Sequence, residues 1–122
     1  MFVKHADEEP VNEVAAGTNT TMQVLVSSDE GPNFALRRFI MEPGGGMPLH
    51  TNAVEHEQYV LRGRARVRMG EETVEVSADD VTFIPAGVPH SYEVVGDERF
   101  EFICVVPNQP DTIEIVEDEW HC

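Results

Sequence analysis

His50 and Asn52 stand two residues apart, as do His56 and Gln58, and His90 follows the run Pro-Ala-Gly-Val-Pro. Side chains two apart on an extended strand share a face, so each pair offers nitrogen and oxygen donors to one side. The proline-rich run is a turn that delivers His90 to the start of another strand. If His50, Asn52, His56 and His90 face a common interior, they make a donor cluster, and neutral imidazole is the commonest ligand of Zn, Cu, Fe and Ni. Three protein ligands with positions left for water or substrate is the arrangement of a catalytic site rather than a structural one. Spacing alone leaves the convergence of the three histidines open. His5 and His121 lie in polar tails and are assigned no role. No Ser–His–Asp arrangement is readable. Gly44-Gly45-Gly46 is followed by no helix, so it is read as a turn between strands and not as a phosphate-binding loop.

The elements that would position these residues are short strands separated by turn residues. Strands are expected at Thr21 to Val26, at Phe34 to Met41, and through the segment Glu55 to Leu61. After Gly63, Ala65, Val67 and Met69 alternate with Arg64, Arg66 and Arg68, a strict period of two. Gly70-Glu71 then turns the chain into a partner strand carrying Val74 and Val76. Val81 to Ile84, the alternating run from His90 to Val95, the run from Phe100 to Val105, and an edge strand at Ile113 and Ile115 complete the pattern. Many short strands at this spacing predict an all-β sandwich or barrel. Residues 1–19 are expected to be loosely held, 20–116 to form the barrel and 117–122 to be a tail.

The 122 residues suit one domain with a real core, and no apolar run is long enough to span a bilayer. The N-terminal stretch has no basic region followed by an apolar one, so a cytoplasmic location is expected. Twenty-three acidic residues stand against eight basic ones, for a net charge of −15. Such a charge repels nucleic acid and anionic membranes, so neither is expected as a partner. The acids are scattered, among them Glu71, Glu72, Glu75, Asp79, Asp80, Glu93, Asp97, Glu98 and Glu101, which predicts a solvated acidic surface and suggests a halophilic source. The two cysteines make no disulfide framework. Cys104 lies in an apolar run and is read as a buried thiol, and Cys122 as a free tail thiol.

Two segments resemble the paired motifs of small single-domain cupins, the cupin type-2 conserved-barrel family. GGGMPLHTNAVEHEQYVLRG, from Gly44 to Gly63, is similar to the first: Gly44 opens it, His50 and Asn52 hold its two histidine positions, His56 its glutamate position, and Gly63 closes it. DDVTFIPAGVPHSYEV, from Asp79 to Val94, is similar to the second through Pro85, Gly87 and His90, with Asp79 in place of a glycine and Val94 in place of an asparagine. The resemblance spans roughly residues 34–107 and implies a double-stranded β-helix, the jelly-roll cupin barrel. It further implies that His50, Asn52, His56 and His90 converge on one divalent transition metal, Zn, Mn, Fe, Ni or Cu. Histidine in the glutamate position makes the ligand set neutral. Asn52 is then either a weak fourth ligand or a hydrogen-bond partner of a bound water. The three-histidine core is similar to the iron sites of thiol and diketone dioxygenases of the superfamily.

Around this site, Phe39, Met47, Val54, Tyr92, Phe102 and Cys104 are expected to form an apolar pocket, with Gln58 orienting a ligand or water and Arg37 at the mouth to receive a carboxylate. Two functions stay open. One is a metal-dependent enzyme acting on a small, partly apolar or carboxylate- or sugar-like molecule, by dioxygenase-type cleavage, isomerisation or lyase chemistry. The other is a non-catalytic, metal-containing ligand-binding or sensor domain. The resemblance also implies a homodimer, for which Thr21 to Val26 is the candidate edge.

Overall fold

The computed structural model describes residues 1–116; the predicted tail at 117–122, with His121 and Cys122, lies outside the described residues. A short 3-10 turn, Ala6–Glu8, is followed by ten strands: β1 (Asn12–Glu13), β2 (Thr18–Val26), β3 (Phe34–Asn52), β4 (His56–Arg62), β5 (Arg64–Met69), β6 (Glu72–Ser77), β7 (Val81–Ile84), β8 (His90–Val95), β9 (Phe100–Pro107) and β10 (Ile113–Ile115). All strand pairings are antiparallel, in the order β6-β5-β8-β3-β9-β4-β7, with β2 and β10 also on β3.

β3 shapes the barrel. Its first part, Phe34 to Met41, pairs with β9 on one side and β2 on the other. Its last part, Gly46 to Asn52, pairs with β8 and β10. One strand therefore belongs to both walls of a jelly roll, and the interior between them holds the core of Met41, Val60, Ala65, Val67, Ile84, Phe100 and Phe102. The glycine run at Gly44–Gly46, expected to be a turn, lies inside this continuous strand. The reason is steric. Gly46 has a φ of +156°, and a Cβ there would collide with the Tyr92 carbonyl oxygen of β8. Without side chains the chain corners from one wall to the other and keeps its ladder partners.

The alternation read in β5 is present as exposed Arg64 and Arg66 against buried Ala65 and Val67. Val74, on the end strand β6, is exposed. Asp79 holds a φ of +73°, the left-handed conformation that glycine would adopt at its motif position, and its carboxylate accepts the Tyr59 hydroxyl at 2.8 Å. Glu101, expected on the solvated surface, is instead buried, with its carboxylate 2.6 Å from Arg38 and 3.5 Å from Arg62. Of residues 1–19, expected to be loosely held, Asn12–Glu13 pair with β2, and the Gln23 side chain donates to the carbonyls of Ala6 and Glu9 at 2.9 and 3.2 Å. No helix among the described residues is long and apolar enough to cross a membrane.

Candidate functional site

Three strands bring the histidines together. His50, near the end of β3, pairs in register with His90, the first residue of β8, and their ring centroids lie 4.1 Å apart. His56 opens β4, and its ring centroid lies 5.9 Å from that of His90. Asn52 closes β3 two residues beyond His50 on the same face. All four side chains, with Gln58, line one cavity of about 160 Å³. Arg37, Phe39, Met41, Met47, Tyr92 and Phe102 complete most of its wall.

The backbone hydrogen bonds fix which ring nitrogen His50 and His90 turn inward. His50 Nδ1 is 2.7 Å from the Pro48 carbonyl and His90 Nδ1 is 2.9 Å from the Val88 carbonyl. A carbonyl only accepts, so both Nδ1 atoms carry the proton and donate it. In the neutral ring that leaves Nε2 with a free lone pair. Burial, reinforced by Arg37 and His90, lowers the His56 pKa to about 4. Burial also lowers that of His90 to about 4, against the opposing effect of its hydrogen bond to Val88. Both rings are therefore neutral at physiological pH. The Nε2 atoms of His56 and His90 and the Oδ1 atom of Asn52 are buried and have no hydrogen-bond partner.

Behind the histidines lies a polar support. Thr82 Oγ1 donates to Gln58 Oε1 at 2.8 Å, which turns Gln58 Nε2 to donate to the Tyr92 hydroxyl at 2.7 Å. Burial pushes the Tyr92 phenol well above its ordinary range, and the Gln58 hydrogen bond offsets this only in part. Tyr92 stays neutral and keeps its own proton to offer. Cys104 lies next to this cluster, with Sγ 3.5 Å from His56 Nδ1 and 3.7 Å from Arg37 Nη2. Burial raises its pKa, with Arg37 opposing, so the thiol is not an activated nucleophile.

Two residues expected in the pocket wall stand elsewhere. Cys104 is fully buried and does not line the cavity; Phe102, on the same face of β9, does. Val54 follows the end of β3 and lines a separate surface groove with Arg37 and Asp111. The cavity wall also contains Glu13, Val14, Met22, Met41 and Ile113, none of them nominated from the sequence. Met22 and Ile113 were legible only as edge-strand residues, because their place over the cavity depends on β2 and β10 flanking β3.

The donor types, imidazole nitrogen and amide oxygen, are those a divalent transition ion takes. Two imidazole nitrogens and an amide oxygen are buried unpartnered around one cavity, and a third imidazole has its Nδ1 proton tied to the backbone. An orphaned buried polar atom costs about 1–3 kcal/mol, so the cavity is built for something that engages these atoms. No three His, Cys, Asp or Glu side chains among the described residues are arranged as they stand to hold a metal ion.

The sequence from residue 37 to 106 matches the model of the cupin domain. The chain belongs to the cupin family. The cupin chain is 33% identical over 112 residues to the oxalate-binding protein of Thermotoga maritima, covering 87% of this chain and 93% of that one. It is 31% identical over 93 residues to 1-methylthio-D-xylulose 5-phosphate methylsulfurylase of Rhodospirillum rubrum, covering 76% of this chain but spanning only 59% of the methylsulfurylase. Among solved structures, the polyketide cyclase RemF of Streptomyces resistomycificus superposes with a TM-score of 0.85 at 27% identity, over 97% of this chain and 88% of that one.

Proposed function

We propose that this cupin is a metal-dependent enzyme acting on a small molecule, with one divalent transition metal held by His50, His56 and His90 and with Asn52 as a fourth, oxygen donor. The observation that carries the reading is the set of buried, unpartnered atoms, His56 Nε2, His90 Nε2 and Asn52 Oδ1, around a single cavity. Such an ion supplies Lewis acidity that polarises a carbonyl, or activation of water or dioxygen. The chain's own residues do the rest. The backbone carbonyls of Pro48 and Val88 hold two imidazoles in the ligating tautomer. Phe39, Phe102 and Met47 exclude water from the ligand. Tyr92, held by Gln58, presents a hydroxyl proton to an oxygen of the bound molecule. The enzymes among the relatives, a methylsulfurylase and a polyketide cyclase, support an enzymatic reading. The coverage of the oxalate-binding protein, 93% of its length, favours the second reading, a binding domain without turnover.

Elemental analysis of untagged protein tests the proposal, beside the His50→Ala variant. About one equivalent of a transition metal, lost in the variant, is the expected result. A protein that contains no such metal and takes up none from added Zn, Mn, Fe, Ni or Cu overturns it. Ligand binding by the loaded protein without product would select the binding reading.

A further inference from the structure

Arg37 projects from β3 into the histidine cavity and also lines the surface groove that contains Val54, Asn108 and Asp111. It is out of place in a chain with 23 acidic residues. Arg38, Arg62, Arg64, Arg66 and Arg99 each pair with a glutamate. Arg37 has no ion pair among the described residues. Its Nε is buried without a partner, and the polar contact of its Nη2 is the Cys104 sulfur at 3.7 Å, a weak acceptor. Glu13 lines the same cavity but makes no ion pair with Arg37. A half-buried guanidinium with unspent donors is costly unless an acceptor arrives, and its planar fork matches a carboxylate or an enolate oxygen.

The aromatic rings beside it are stacked. The rings of Phe39 and Phe102 are stacked at 5.1 Å with 12° between their planes, and those of Tyr92 and Phe102 at 5.4 Å with 19°. The Arg37 guanidinium itself lies 5.2 Å from the Phe39 ring centre. Guanidinium and rings stand face on face, an apolar column beside which the body of a small ligand can lie.

We propose that Arg37 is the anion-receiving residue of this cavity and that the ligand is a small organic anion with an apolar body, its charged oxygen on Arg37 and its body against Phe39, Phe102 and Tyr92. The histidines line the same cavity, so the inference rests on the reading of this cavity as a small-molecule site. It does not require the metal.

Calorimetric titration with benzoate and its neutral isostere benzamide tests this, on chelator-treated and zinc-loaded protein, with zinc content measured for each form. Chelator-treated wild type is expected to bind benzoate roughly tenfold or more tighter than benzamide. Arg37→Gln is expected to erase the preference for the anion with zinc content unchanged. Arg37→Lys, which keeps the charge and loses the fork, is expected to retain part of it and serves as the second variant should Arg37→Gln fold poorly. Benzoate binding that is absent or no tighter than benzamide binding overturns the proposal, as does a preference that survives Arg37→Gln. Anion preference without zinc uptake would sink the metal-dependent function and leave this inference standing; zinc uptake without anion preference would do the reverse.

Discussion

The Asn52 amide is oriented by Asp111. Asn52 Nδ2 donates to Asp111 Oδ2 at 3.3 Å, and the backbone N–H of Ala53 donates to Asp111 Oδ1 at 2.8 Å. A carboxylate only accepts, so the amide nitrogen must face Asp111 and the amide oxygen must face the cavity, where Oδ1 is buried and unpartnered. Asp111 thereby positions the oxygen that the proposed site would offer a metal. Removing it with Asp111→Ala is expected to weaken zinc binding by roughly tenfold, the scale of a lost support to a ligand. The Asn52→Ala variant should lose a comparable amount, and the double variant should be no weaker than Asn52→Ala alone. Competition with a chromophoric chelator reads all four proteins. Additive losses in the double variant would show that Asp111 does not act through Asn52.

The buried histidines set an acid limit on the chelator-treated protein. Burial is the main cause that lowers the pKa of His56 and His90 to about 4, from 6.5 when exposed. The folded state therefore binds fewer protons than the unfolded chain between these values. The stabilising effect of keeping the rings neutral is fully present above about pH 6.5 and is lost as pH falls towards 4. Each ring contributes on the order of 3 kcal/mol to that loss if titrating independently. Urea unfolding from pH 8 to 4 should show stability falling through this window. His90→Asn, which removes one titrating ring, should flatten the slope. An identical pH dependence in wild type and variant would count against the assignment.

How far the fold and site could be read from the chain depended on the range of the interaction. The β5–β6 hairpin was legible because Arg64 to Met69 alternate within one strand and Gly70 turns it. The motif residues His50, His56 and His90 were legible through the cupin resemblance, and the structure places all three on one cavity. The glycine run was misread because the need for Gly46 comes from Tyr92, on a strand 46 residues away in the chain, whose carbonyl fills the space of a side chain. Asp111 escaped notice because its tie to Asn52 crosses 59 residues and exists only once β10 has paired with β3. Cys104 was placed on the correct face but one layer too close to the cavity, since depth within a barrel depends on the neighbours Arg37 and Gln58 in the adjacent strands.

Glu101 shows the same limit in energetic form. Its side chain is 4% exposed and is bound by Arg38 of β3 and Arg62 of β4, so one carboxylate links three adjacent strands. Breaking a buried pair leaves uncompensated charge and costs up to about 3–5 kcal/mol. Arg38 is 26% exposed and can regain water, which places the expected cost of Glu101→Ala nearer 2–3 kcal/mol. Paired with Arg38→Ala in a double-mutant cycle, it should give a coupling energy above about 1 kcal/mol. A coupling near zero by urea unfolding would mean that the pair contributes nothing beyond its two separate burials.

The remaining acids act together, as a field. A net charge of −15 on 122 residues opposes compaction, and exposed carboxylates such as Glu71 and Asp97 have little shielding at low ionic strength. The screening length falls from about 10 Å at 0.1 M salt to about 3 Å at 1 M. Repulsion between carboxylates on neighbouring turns should therefore fade across that range, and the urea midpoint of unfolding should rise. A variant carrying Glu71→Gln and Asp97→Asn has less repulsion to screen, so its midpoint should start higher at low salt and rise less. Potassium chloride is the appropriate salt, since sulfate strengthens apolar burial whatever the charge. If the midpoint of the wild type does not move with salt, or moves equally in the variant, the acidic surface is not what limits stability, and the case for a halophilic setting fails with it.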